Sequence, residues 1–206
     1  MPDPIPETST RDRLLAAAMT LFTERGYAAT SVREIVAAAG LAKPALYYHF
    51  GSKEGIYQAL VAELTRLVDA GLAAHSSPAG GARRRVETLL LGLYGLFEQN
   101  QEALRFINAA FWGPAQGAPR FDIESFHAKL ANAVTGIVAD GLRAGELRPV
   151  DPGDVTHALI GLFSFSMDLT LAHPDLGRGR AGLERALDLL FRGLAAPAAR
   201  LTENPS

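Results

Sequence analysis

Residues 30–54 read TSVREIVAAAGLAKPALYYHFGSKE, and they carry the clearest structural signals in the chain. Ser31 followed by Glu34 is the pattern of a capping box, in which each side chain bonds the backbone N–H of the other residue. Apolar residues then recur at the spacing of one helical face: Val32, Ile35, Val36 and Ala39. Gly40 ends that helix, and Pro44 is tolerated in the first turn of the next one. The stretch therefore predicts two short helices, 32–39 and 43–50, joined by a tight turn.

Two short helices joined by such a turn are typical of a helix-turn-helix unit, whose second helix enters the major groove of DNA. A preceding helix, predicted from Thr10 as its N-cap to Arg25, can cover the apolar side of the pair. The second helix carries side chains that suit phosphates, base edges and thymine methyl groups: Lys43, Tyr47, Tyr48 and His49. Lys53 begins the next helix, where free N–H groups and the helix dipole favour an anion.

The rest of the chain also predicts helices, because it is rich in Leu and Ala with apolar residues at helical spacing. The strongest start signal is Asp151-Pro152, an N-cap followed by proline at the first helical position. The predicted helices after the first three are 52–75, 82–99, 101–111, 121–144, 152–172 and 180–194. We therefore expect an all-α protein of about nine helices. The expected domains are a disordered arm (1–9), a helix-turn-helix domain (10–54), a ligand-binding and dimerisation domain (55–200) and a tail (201–206).

The overall charge excludes a protein that coats DNA without sequence preference. Lys and Arg number 20 and Asp and Glu 22, for a formal net charge of −2. Residues 10–53, however, hold six positive and three negative side chains, so a small positive excess lies in the predicted DNA-binding part. The absence of cysteine excludes disulfides, thiolate metal sites and thiol sensing.

No targeting, membrane or enzyme signal accompanies these patterns. The apolar runs are much shorter than the roughly 20 residues of a membrane-spanning helix, and the N-terminus has no signal-peptide pattern, so we expect a cytoplasmic protein without membrane contact. The run from Gly177 to Gly182 matches G-x-G-x-x-G, but no strand precedes it and we interpret it as a loop. The five histidines show no ligand spacing. The sequence thus predicts no catalytic residue, no metal site and no cofactor.

The stretch 30–54, together with residues 17–27 before it, resembles the TetR family of bacterial transcriptional regulators, and the resemblance covers about residues 11–64. It implies that Thr30 and Ser31 hold a DNA phosphate and that Lys53 clamps a flanking one. It also implies that the remaining DNA contacts come from Arg33, Lys43, Pro44, Ala45, Tyr47, Tyr48 and His49. One residue departs from the pattern: Ala42 stands where the family commonly has Ser or Thr to cap the recognition helix.

The C-terminal part is expected to bind a small, largely apolar effector and to form a homodimer. Apolar pockets between helices suit such ligands, and the candidate residues are Phe97, Phe106, Phe111, Trp112, Phe126, Phe163, Met167 and Asp168. The last two helices resemble the dimer-forming pair of the family, with the interface expected at Leu159, Leu162, Phe163, Ser166, Leu183, Leu187, Leu190, Phe191 and Leu194. Two recognition helices joined in this way would read a pseudo-palindromic stretch of double-stranded operator DNA.

The expected function is therefore a repressor that a small molecule releases from its operator. An alternative is a helical small-molecule-binding dimer or an enzyme with a vestigial DNA-binding module, which the missing cap at Ala42 favours. A third possibility, an activator or a ligand-independent nucleoid protein, shares the DNA step but not the ligand step.

Overall fold

The computed structural model describes residues 9–76, 79–112, 117–119, 123–173 and 175–194, except for the side chains of residues 111, 112, 123, 124 and 126. The described residues form nine helices, which confirms the predicted all-α class. The helices are α1 (Thr10–Ala29), α2 (Val32–Ala38), α3 (Lys43–Phe50), α4 (Lys53–His75), α5 (Ala82–Gln99), α6 (Gln101–Trp112), α7 (Ile123–Arg143), α8 (Pro152–Ala172) and α9 (Gly179–Leu194). The predicted arm before Ser9 and the predicted tail 201–206 lie outside the described residues.

The first helix differs from its predicted bounds at both ends. Its N-cap is Ser9 and not Thr10, because the Ser9 hydroxyl accepts a hydrogen bond from the Asp12 N–H at 3.1 Å. Both residue types can cap a helix, so the sequence placed this start one residue late. Gly26, at φ 79°, interrupts the helical backbone, and a last turn continues to Ala29. A glycine in this left-handed region kinks the helix here instead of ending it.

The predicted helix starts at Ser31 and Asp151 are confirmed. The Ser31 hydroxyl accepts from the Glu34 N–H at 3.3 Å, and the Glu34 carboxylate accepts from the Ser31 N–H at 2.8 Å. The Asp151 carboxylate accepts from the N–H groups of the first turn of α8, and Pro152 opens that helix. These two capping interactions satisfy backbone donors that otherwise have no partner at a helix N-terminus.

The chain divides into two compact units, which interleave in sequence. The first unit holds the chain up to Ala70 and residues 97–123, so α1–α3, most of α4 and α6 belong to it. The second unit holds residues 71–96 and the chain from Glu124 onward, including most of α5 and all of α8 and α9. The functional division at residue 54 stays a prediction.

An aromatic cluster connects three helices of the first unit. Phe22 and Tyr27 of α1 pack against Tyr57 of α4, with ring centroids 5.5 and 5.2 Å apart. The ring of Phe106 in α6 also contacts Tyr57, with centroids 5.5 Å apart. Burial raises the pKa of the Tyr57 hydroxyl, and Tyr27 adds to this effect. The cluster gives the helix-turn-helix part a larger apolar core than α1–α3 alone can provide.

In the second unit α8 packs against α9, and buried side chains of α5 and α7 complete the core. Its largest buried side chains include Leu159, Phe163, Leu183, Leu187 and Phe191. The Tyr94 hydroxyl of α5 bonds the Thr170 hydroxyl of α8 at 2.6 Å. By length and composition alone α8 is the one described helix that could cross a membrane, a test that the core helix of a globular protein also passes.

Candidate nucleic-acid interface

Helix α3 presents the predicted recognition residues to solvent. Leu46 is fully buried and fixes the helix on α1 and α2, whereas Tyr47 is 51% and Tyr48 85% exposed. Lys43, Pro44 and His49 are also exposed, and Ala45 is half-buried. In the described part of the chain, no hydrogen bond or ion pair involves the side chains of Lys43, Tyr47, Tyr48 and His49. Their donors and acceptors are therefore available to a partner.

The N-terminus of α2 places Ser31 and Arg33 on the surface, beside a carboxylate. Glu34 accepts from the Ser31 hydroxyl at 2.7 Å and from the Arg25 guanidinium at 3.1 Å. The bonds from Ser31, and then Arg25, hold the pKa of the Glu34 carboxyl below its usual range. A phosphate at Ser31 would compete with this carboxylate for the same hydroxyl. Arg33 is exposed beside Ser31, and its side chain makes no hydrogen bond or ion pair within the described residues.

Thr30 lies in the interior and not on the surface that the resemblance implied. Its side chain is 2% exposed, and its hydroxyl donates to the Gly26 carbonyl at 2.9 Å, with the Leu21 carbonyl at 3.2 Å. This arrangement satisfies backbone oxygens at the kink of α1. The structure thus gives the Thr30 hydroxyl a role in holding the α1–α2 connection, and leaves it no free donor for a phosphate in this conformation.

Lys53 is bonded to the same connection. Its ammonium donates to the Tyr27 carbonyl at 2.8 Å and to the Thr30 carbonyl at 2.9 Å. It also lies 4.1 Å from the centre of the Tyr27 ring, within the range of a cation–π interaction. Two of its three donors are therefore used within the chain. Only the third N–H donor of Lys53 is left for the phosphate contact that the resemblance implied.

We predict that Lys53→Met lowers the stability of the protein as well as its affinity for DNA. The substitution removes two hydrogen bonds from a charged donor, and such bonds contribute about 1.5–3 kcal/mol each. Urea unfolding measures this loss. Lys43→Met is the matched control, because that exposed lysine has no bond within the described chain and its loss is expected to weaken DNA binding only. Equal stability of the two variants would contradict the structural role of Lys53.

Arg13 is a residue that sequence reasoning missed. Its guanidinium donates to the Ala39 carbonyl at 2.6 Å, at the C-terminal end of α2. A cation is favourable there because the last carbonyls of a helix carry partial negative charge. Arg13 thus ties α1 to the turn of the helix-turn-helix unit. No pattern in the sequence distinguishes it from other arginines on the exposed side of the first helix.

Ala42 is the N-cap of α3, and it makes no side-chain capping bond. Its backbone is extended, at φ −101° and ψ 155°, as in a standard N-cap. The geometry for a cap is present and only the hydroxyl is missing.

We predict that Ala42→Ser stabilises α3 by about 1 kcal/mol, the usual value of an N-cap hydrogen bond. Amide hydrogen exchange is expected to slow in the first turn of the helix. Ala45→Ser is the matched control, since residue 45 lies inside the helix, where serine gives no capping bond and lowers helix propensity. Equal exchange in both variants would show that the first turn of α3 is already fully ordered without a cap.

The expected effector residues are divided between the two units. Phe97 and Phe106 are buried in the first unit, and Phe163 and Met167 are buried in the second. Asp168 is half-buried. The side chains of three others, Phe111, Trp112 and Phe126, lie outside the described residues. A cavity of about 560 Å³ lies between α1, α4 and α6, and one of about 360 Å³ lies beside α7, and none of the expected residues lines either. The effector site stays a prediction.

Most of the expected dimer residues are interior in the single chain, and the dimer interface stays a prediction. Six of the nine are buried within the second unit: Leu159, Phe163, Leu183, Leu187, Phe191 and Leu194. Their periodicity marks the face on which α8 and α9 pack with the rest of their own unit. Leu162, Ser166 and Leu190 are half-buried. The large apolar side chains left exposed on these helices are Phe165, at 62%, and Leu189, at 71%.

Among the described residues, no group of three or more histidine or carboxylate side chains is arranged to hold a metal ion.

Comparison with known proteins identifies the family. The family model for "Bacterial regulatory proteins, tetR family" matches residues 14–60, which include α2 and α3. ComR of Escherichia coli (strain K12), an HTH-type transcriptional repressor, is 30% identical over 159 residues, covering 74% of this chain and 73% of ComR.

Solved structures show the same fold. PfmR, a TetR family transcriptional regulator of Thermus thermophilus, is 26% identical, with a TM-score of 0.73 over 92% of this chain and 100% of PfmR. SmeT in complex with triclosan is 18% identical, with a TM-score of 0.71 over 96% of this chain and 97% of SmeT. The relatives are transcriptional regulators and not enzymes. The chain therefore belongs to the TetR family, and it is a DNA-binding transcriptional regulator with a helix-turn-helix at residues 32–50.

Proposed function

We propose that the protein is a cytoplasmic, homodimeric repressor that binds a pseudo-palindromic operator and leaves it when a small apolar molecule binds. The observation that carries the DNA step is the exposed face of α3. Its lysine, two tyrosines and histidine are exposed and make no hydrogen bond or ion pair within the described chain. ComR, a named repressor matched over most of both chains, supports repression.

The DNA-contacting residues proposed on this basis are Ser31, Arg33, Lys43, Pro44, Ala45, Tyr47, Tyr48 and His49. Tyr48 and Lys43 are the main contacts, because they are exposed and carry donors that suit phosphates and base edges. Arg13, Thr30 and Lys53 act indirectly, through their bonds to the ends of α1 and α2. They hold α3 in position and do not contact the bases themselves.

The dimer interface that we propose is the exposed strip of α8 and α9. On α8 the strip holds Gly161, Leu162 and Phe165, and on α9 it holds Leu189 and Gly193. A side chain at Gly161 or Gly193 would meet nothing within 4 Å inside the chain. Two glycines beside two exposed large apolar residues suit close helix packing with a second copy in a four-helix contact. Such a strip also explains why α8 is as long and apolar as a membrane-spanning helix although only part of it is buried within the chain.

The effector step is proposed as a population shift. The SmeT complex with triclosan is a precedent for a small apolar ligand on this fold. A ligand that contacts Phe106 would press on the aromatic cluster, because the rings of Phe106, Tyr57 and Tyr27 are in sequential contact. Tyr27 in turn lies against Lys53, whose ammonium bonds the carbonyls just before α2. A shift along this route would move α3 and mismatch the operator half-sites.

Gel-shift titration with the DNA upstream of the gene that encodes the protein tests the proposal. We expect only a minority of the DNA fragments to form a complex. That complex is expected to be saturable at low and at moderate salt. Failure across that whole region at low salt would favour the alternative, a helical ligand-binding dimer with a vestigial DNA-binding module. A promoter fusion then separates repression from activation, since loss of the protein raises expression only if it represses.

A further inference from the structure

The cavity of about 360 Å³ in the second unit has a mixed polar and apolar lining. Ser76, which follows α4, Arg85 of α5 and five residues of α7 surround it: Asn132, Ala133, Gly136, Ile137 and Asp140. The volume is within the range of small-molecule sites. None of these residues has a role in the DNA, dimer or effector steps proposed above.

Arg85 has fewer partners than its donors require. Its Nη1 donates to the Asp140 carboxylate at 2.8 Å, while its Nε–H is enclosed and has no acceptor among the described residues. A guanidinium has five N–H donors, and a buried donor without an acceptor costs about 1–3 kcal/mol. A small rotation toward the cavity would let the group bond an acceptor placed there.

The charge around the cavity favours an anion. Asp140 accepts from Arg85 and also from Arg143, so two guanidinium groups share one carboxylate. Arg85 is the larger cause of the lowered pKa of the Asp140 carboxyl, which keeps this residue charged. Arg143 does not line the cavity itself, but the three groups together carry one net positive charge beside it. The side chains of Ser76 and Asn132 are exposed and make no bond within the described chain, so they add free neutral donors.

Gly136 opens the cavity. Residues 132, 136 and 140 follow one face of α7 at four-residue spacing, and a Cβ at 136 would meet nothing within 4 Å. A glycine inside a helix costs about 1 kcal/mol relative to alanine. A side chain longer than alanine at this position would extend into the space between Asn132 and Asp140.

We propose that this cavity binds a small molecule through a carboxylate group. The carboxylate accepts hydrogen bonds from Arg85, whose planar guanidinium matches its two oxygens, and from Asn132 and Ser76. The site is independent of the effector site proposed above, and its ligand is polar where that effector is apolar.

Titration of the full-length protein with sodium acetate, against sodium chloride at equal ionic strength, tests the proposal without DNA. We expect a saturable shift of the Arg85 Nε–H signal in the ¹H–¹⁵N spectrum and a rise in the melting temperature with acetate only. Arg85→Lys keeps the charge but loses the planar donor fork, and it is expected to weaken acetate binding about tenfold, the value of one charged hydrogen bond.

Gly136 supplies a matched pair of variants. Gly136→Leu is expected to fill the cavity and abolish the acetate shift, while Gly136→Ala gains the same helix propensity and retains most of it. Both variants are expected to be at least as stable as the wild-type protein, so loss of binding in Gly136→Leu cannot come from unfolding. Equal effects of acetate and chloride, or an unchanged acetate shift in Gly136→Leu, would overturn the proposal. These outcomes do not depend on whether the protein represses transcription.

Discussion

A protein carrying both Lys43→Ala and Tyr48→Ala is expected to bind its operator at least about a hundredfold more weakly than the wild-type protein. Each good contact to a base or phosphate contributes about 1–3 kcal/mol, so the loss of two contacts per half-site corresponds to that factor or more. Fluorescence anisotropy with a labelled operator measures the change. The dependence of affinity on salt is also expected to become shallower by about one charge per protomer, because Lys43 no longer neutralises a phosphate.

The fold is expected to survive this double substitution. Tyr48 is 85% exposed and Lys43 is exposed, so their removal leaves no cavity. Surface substitutions of this kind usually change stability by less than about 0.5 kcal/mol. Arg105→Ala is a control for net charge, because Arg105 is exposed on α6, away from the recognition helix in sequence. Operator binding that is equal in the double variant and in the control would remove α3 as the reading element.

The second large effect is expected from charges on the exposed strip of the last two helices. A variant with Phe165→Asp and Leu189→Asp is expected to be monomeric, because a dimer would have to bury carboxylates without partners. Operator affinity is expected to fall about 10²- to 10⁴-fold, since two linked recognition helices bind far more tightly than one. Light scattering coupled to size exclusion gives the oligomeric state, and anisotropy gives the affinity.

Thr88→Asp is the control for the dimer prediction. Thr88 is exposed on α5, a helix that contributes no residue to the strip, so this variant adds a surface carboxylate away from the proposed interface. This variant is expected to remain dimeric and to bind DNA normally. A double aspartate variant that stays dimeric would place the interface elsewhere on the chain, and a monomer that retains full affinity would contradict the link between dimerisation and operator reading.

The helices were predictable because their signals are local. The capping box at Ser31 and Glu34 and the start at Asp151-Pro152 each lie within four residues, and both are present as predicted. The start of α1 was placed one residue late because Ser9 and Thr10 are adjacent and either side chain can cap a helix. Composition does not show whether a helix ends at a glycine with positive φ or resumes after it. The kink at Gly26 was therefore not predictable.

The roles of individual side chains were less predictable, because they depend on contacts between distant residues. Lys53 was expected on the surface, yet carbonyls more than twenty residues earlier accept its hydrogen bonds. Helical periodicity indicated that Leu159 and Phe163 share a face, but it does not distinguish packing within the chain from packing on a second copy. In the first unit α6 packs on α1, and Phe106 meets Tyr57 of α4; no local sequence pattern predicts these long-range contacts.

The separation of roles in the helix-turn-helix unit has a consequence for how operator preference diverges. The exposed side chains of α3 that are proposed to read DNA make no hydrogen bond or ion pair within the described chain, while Leu46, Arg13, Thr30 and Lys53 hold the fold together. Substitutions on the outer face of α3 are therefore expected to change the stability of the protein very little. Most mutations are limited because they lower stability below the threshold for function, but selection for a new operator sequence can change these residues without that limit. Duplicated copies of such a regulator can acquire new target sites by a few exposed changes.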